Sequence, residues 1–160
     1  MLLWDYEMKP LRDELPTIPP ARRLAVAVSV LDWTLQAAGE IEDAEVRSYL
    51  AEGLRIGHES VRAGRDEMIL PEDMLDAYED VYDSSDEPGT AHLMSAILAC
   101  VDAPEGLTGE VLYGVLSSCY EGLLDRERLP IWTVEAEREN ARCLETIAYQ
   151  KRIVDEALGR

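Results

Sequence analysis

PARRLAVAVSVLDWTLQAAG, residues Pro20 to Gly39, decides the fold. Leu24, Val28, Leu31, Leu35 and Ala38 recur at spacings of three and four and make one helical stripe, while Val26, Val30, Trp33 and Ala37 make a second. Proline in the first turn suits a helix start, and Gly39 suits its end. Two stripes leave few polar positions, so this helix is expected at the centre of a bundle.

Working outward, Trp4, Met8, Leu11 and Leu15 predict a short first helix, interrupted near Pro10 and ended by Pro16. Asp43 is a good N-cap for a third helix, with Val46, Leu50, Leu54 and Val61 inward and Ser48, Glu52, Arg55, Glu59 and Arg62 outward. Gly53 and Gly57 lie on or near its apolar side; each costs about 1 kcal/mol in a helix interior, which a close approach by another helix would offset. Gly64 stops this helix, and Pro71 opens a fourth with apolar Met74, Leu75, Tyr78, Val81 and Tyr82, closed by the SSDEPG segment Ser84 to Gly89.

A fifth helix, capped by Thr90, carries Met94, Ile97, Leu98 and Val101 and breaks at Ala103-Pro104-Glu105-Gly106. Its near-absence of charge predicts the most buried position. Thr108 caps a sixth helix with Leu112, Val115, Leu116, Cys119 and Leu123. One long last helix is expected from Thr133 to Leu158, its early acids Glu135, Glu137 and Glu139 and its late Lys151 and Arg152 matching the helix dipole. No strand pattern and no fixed-period repeat competes. The expectation is all-α: a compact orthogonal or up-down bundle of six to seven helices, forming a single domain over residues 1–160.

A hydrophobic content of 47% supports a real core. Leu24 to Leu35 is broken by Ser29 and Asp32, so no apolar run reaches the roughly 18 residues of a membrane span. MLLWDYEMKP lacks a basic n-region and does not resemble a secretory signal, which points to the cytoplasm. Cys100, Cys119 and Cys143 are widely spaced within apolar patterns and read as buried thiols.

A net charge of −18 argues against direct nucleic-acid or anionic-membrane binding and favours a basic protein partner. The acidity is local. Between Arg65 and Arg126 there are 15 acids and no lysine or arginine, while the remaining 18 acids face all 15 cations. The fourth helix concentrates it, with Glu72, Asp73, Asp76, Glu79, Asp80 and Asp83 followed by Asp86 and Glu87 in the loop. Separations of three and four put Asp73, Asp76, Glu79, Asp80 and Asp83 on one ridge, and each like-charge pair disfavours the helix by about 0.2–0.5 kcal/mol. Packing or a bound cation must offset those terms.

Three readings follow: a solvated face, a docking surface for a cationic protein, and a divalent-metal site. The stretch Glu79-Asp80-Val81-Tyr82-Asp83 resembles the acid-rich motif of prenyl-diphosphate enzymes, a resemblance that implies magnesium. Those enzymes also need a second acidic motif and basic diphosphate ligands, which this region lacks. Tyr78 and Tyr82 lie one turn apart beside the acids; core packing is their default use, yet tyrosine with carboxylate also receives arginine and lysine well. Trp4, Trp33 and Trp132 are expected in the core or at helix junctions.

Other chemistry has little support. His58-Glu59 lacks the second histidine of a zinc-protease helix, neither His58 nor His92 follows a glutamate at the di-iron spacing, and Gly106-Leu107-Thr108-Gly109 lacks the lysine of a phosphate loop. No cofactor and no catalytic residue is assigned. The expectation is an acidic protein-binding module, in form an immunity or antitoxin protein that masks a basic nuclease-like toxin, bound through Glu72 to Asp83, Asp86, Glu87, Tyr78 and Tyr82. The alternative is a small helical enzyme or metal-binding protein using the carboxylates near residues 72–83. Self-association through the helices near 43–62 or 133–158 is a third possibility.

Overall fold

The computed structural model describes residues 1–101 and 106–160, so the expected turn at Ala103 to Glu105 lies outside the described residues. The described residues form eight α-helices: α1 (Leu3–Met8), α2 (Pro20–Ala37), α3 (Ala44–Arg62), α4 (Glu72–Asp83), α5 (Thr90–Val101), α6 (Gly109–Glu127), α7 (Val134–Arg138) and α8 (Ala141–Ala157). Among the described residues there is no strand, and no helix is long and apolar enough to cross a membrane.

The central helix takes its expected place. α2 buries Leu24, Val26, Ala27, Val28, Val30 and Leu31 and packs against α3, α5, α6 and α8. α5 pairs closely with α6 and has no fully exposed residue. Both glycines of α3 mark close helix contacts: a Cβ on Gly53 would lie 2.8 Å from Ile97 Cδ1, and one on Gly57 would lie 3.1 Å from Val28 Cγ2. Asp43 caps α3 by accepting from Glu45 N and Val46 N, and Thr108 and Thr133 cap α6 and α7. Thr90, by contrast, is the first helical residue of α5, and its hydroxyl donates to Glu87 O at 2.8 Å.

The ends of the chain depart from expectation. α1 stops at Met8 and gives way to two short 3-10 turns, Lys9–Leu11 and Leu15–Thr17, each with a proline in its first positions. The single long last helix is two. Asn140 stands between them and caps α8 by accepting from Cys143 N. The break serves Glu137, which is 3% exposed and turns its carboxylate to Leu3 N at the start of α1 and to the Tyr120 hydroxyl at 2.6 Å. A negative group at those free N–H donors satisfies α1 as a helix cap does. Trp4 completes the seam through its indole N–H to Gln150 Oε1 at 2.7 Å.

α4 lies at the edge, packed on α3 and α5. Only Val81 is fully buried, with Met74, Ala77 and Tyr78 half-buried beside it. That position leaves most of the circumference of α4 facing solvent.

Candidate functional site

At about 100° per residue, Met74, Ala77, Tyr78 and Val81 share the inner side of α4. Leu75 and Tyr82 come next around the barrel. Beyond them Glu72, Asp73, Asp76, Glu79, Asp80 and Asp83 fill an outer arc of about 120°. All six of these carboxylates and Asp86 are exposed, and none has an ion-pair partner among the described residues. The expected ridge is therefore continuous over about three helical turns.

Elsewhere several charges are matched. Arg12 pairs with Glu110, Arg47 with Glu40, Arg142 with Glu145, Lys151 with Glu7 and Arg160 with Glu14. On α3, Arg55 reaches Glu52 at 2.5 Å and Glu59 at 2.6 Å. The Glu52 hydrogen bond holds that guanidinium above its ordinary value and pulls the Glu52 carboxyl below its own.

Glu87 separates from the other candidates. Its carboxylate accepts from Glu42 N at 2.8 Å, from Asp43 N at 3.1 Å and from Arg126 Nη1 at 3.0 Å, so it braces the loop before α3. Arg126 also donates to Ala38 O, Glu40 O and Pro88 O, tying the ends of α2 and α6 to the loop after α4. Gly89 permits this closeness: its φ is +83°, and a Cβ there would stand 2.2 Å from Gly122 O. The cation that ends the acid-rich stretch in sequence is thus consumed inside the fold.

The tyrosines form a ladder. Tyr49 donates to Met74 O at 2.8 Å, its ring meets Tyr78 edge-on at 6.1 Å, and Tyr78 stacks on Tyr82 at 5.9 Å. Tyr78 serves the core, and Tyr82 is 38% exposed at the rim of the ridge. Leu75, expected inside, is 43% exposed. It lines an open groove of about 440 Å³ with Met68, Ile69, Leu70, Leu98 and Val101, where Glu67 is the one charged residue among the described lining residues. Ile69 is 60% exposed because it points outward between buried Met68 and Leu70. That in-out-in alternation is visible in the sequence Met68-Ile69-Leu70, within the stretch that connects α3 to α4.

Trp132 corrects a further expectation. With Ile131 it stands on the surface at 64% exposure, in the connection before α7 rather than in a junction. Cys100, Cys119 and Cys143 are buried and unpaired, as expected. His58 Nε2 lies 3.1 Å from Asp32, and His92 lies between Glu121 and Asp125 at 3.4 Å from each. Among the described residues no three histidine, cysteine or acidic side chains converge to hold a metal ion. The carboxylates of α4 are strung along one helix rather than gathered around a point. Compared with known proteins, the chain matches no family model, no curated protein and no solved structure.

Proposed function

We propose that the chain is an acidic protein-binding module that holds a basic protein against α4 and the loop that follows it. The observation that carries the reading is the run of seven exposed, unpaired carboxylates from Glu72 to Asp86 with no lysine or arginine among them, whereas elsewhere arginine and lysine are interspersed with the acids and pair ten of them. Such a surface accelerates encounter with a cationic partner and fixes its orientation. Tyr82 adds an aromatic face suited to arginine. Glu87 supports this surface from behind, holding the loop in place rather than meeting the partner. By analogy of charge, the biological form of this reading is an immunity-type protein that masks a cationic toxin such as a nuclease. Three buried, unpaired thiols suit a reducing, cytoplasmic setting.

The test uses the partner captured from the protein's own cells. Asp76, Glu79, Asp80 and Asp83 are changed together to amides and, in a second variant, to lysine, and affinity is measured across salt concentration. The amides are expected to weaken binding by at least about tenfold and flatten its salt dependence, and the lysines to abolish it. Unchanged affinity with no salt dependence sinks the reading.

A further inference from the structure

We infer that the partner surface seated here is a cationic amphipathic helix, with its apolar face in the groove beside Leu75 and its lysines or arginines on the α4 ridge. This rests on the proposed binding of a basic protein and adds the shape of what is bound. On α4 an apolar strip, Leu75 and Tyr82, runs alongside the carboxylate arc. Ile69 and Leu98 extend that strip sideways into the groove. Two parallel stripes, one apolar and one charged, are the complement of an amphipathic helix, whose own faces run parallel in the same way. An irregular basic loop satisfies the ridge and leaves the groove wet.

The groove also disfavours a small ligand. It is open, and among the described residues its lining offers one carboxylate, Glu67, and no convergent set of polar groups to orient a bound molecule. Unpaired negative charge along its rim selects against acidic and neutral apolar segments. What remains is an apolar face flanked by cations.

The experiment uses the full chain and two synthetic peptides of about five helical turns, identical in leucine and lysine content. One has the helical stripe and the other is permuted to destroy it. Affinities are read by fluorescence anisotropy. The striped peptide is expected to bind at least about tenfold more tightly, and Leu75→Ser or Ile69→Ser to remove most of that preference without altering net charge. Asp76→Asn with Asp80→Asn is expected to weaken both peptides alike. If the two peptides bind equally and neither serine variant matters while the amides still weaken both, the helix-in-groove inference is wrong and the binding of basic partners stands. If the amides change nothing, both fall. Both serine sites are exposed, so the fold should survive, and unchanged melting temperatures check that. Amide exchange with the striped peptide bound is expected to protect the segment around Ile69 and the start of α4; protection confined to Ile131 and Trp132 overturns the inference.

Discussion

α3 and α4 are neighbouring helices with one buried and one wet face, and they treat charge in opposite ways. α3 is capped by Asp43, places Glu45 in its first turn and Arg62 in its last, and neutralises its outer face with Arg55 between Glu52 and Glu59. α4 has no side-chain cap and no base in its last turn; it carries Asp80 and Asp83 toward its C-terminal end, where the helix dipole opposes them. Six pairs of its acids stand three or four apart, together unfavourable by about 1–3 kcal/mol. Its one fully buried side chain, Val81, contributes about 1.5–3 kcal/mol, and half-buried Met74, Ala77 and Tyr78 add to it, so packing offsets the repulsion. α3 carries acids and bases together on its outer face. α4 carries acids alone there, and an external cation would relieve it.

If α4 is held on the bundle from outside, the largest effect should come from its anchor. Arg126→Ala leaves Glu87 half-buried without its cation and frees three carbonyls, with an expected loss of about 3–5 kcal/mol in urea unfolding. A loss below about 1 kcal/mol would show that the loop does not depend on this bond set.

A second measurement loads the interior and leaves both outer faces unchanged. Burial pushes the Cys100 and Cys119 thiols from their ordinary value of 9.0 up to about 12. Their contribution is complete below pH 9 and declines as pH rises, because the unfolded thiols ionise first. At about pH 10.5 each should cost about 2 kcal/mol, and because Cys143 is likewise raised, to about 11, Cys119→Ala should shrink the decline between pH 8 and 10.5 by no more than about a third.

The comparison itself is broken by giving α4 the charge of α3. The four amide substitutions on its ridge should raise stability by about 1–2 kcal/mol at low salt, the gain fading as salt is added. A loss of stability would mean the acids already have partners. The smallest effect is expected on α3: Arg55→Gln removes a fully exposed pair set and should leave the melting temperature essentially unchanged.

The bundle could be read from local pattern because its signals are local. The stripes of α2, the cap at Asp43 and the tight glycines of α3 all act within a few residues of themselves. The ridge on α4 was legible for the same reason. What escaped depended on distant partners. Glu137 belongs to a polar face in sequence, and only Leu3 and Tyr120 make it a buried capping group. Glu87 counts as one more acid until Arg126 arrives from 39 residues away. Leu75 and Trp132 were assigned inward by residue type, which says how favourable burial would be but not whether a neighbour is there to provide it. The split at Asn140 did have a local sign, since asparagine is a strong N-cap, but the helical run on either side concealed it.

The burial of Arg126 has a practical consequence for proteolytic mapping. Trypsin needs lysine or arginine, and the first such residue after Arg65 is Arg126, whose side chain is only 12% exposed. With Arg126 shielded, the next accessible site is exposed Arg128, so the 63 residues from Asp66 to Arg128 should stay in one piece during native digestion. The ridge, the groove beside Leu75 and two of the three thiols all fall within that peptide, so a cross-linked partner would be recovered on a single large fragment.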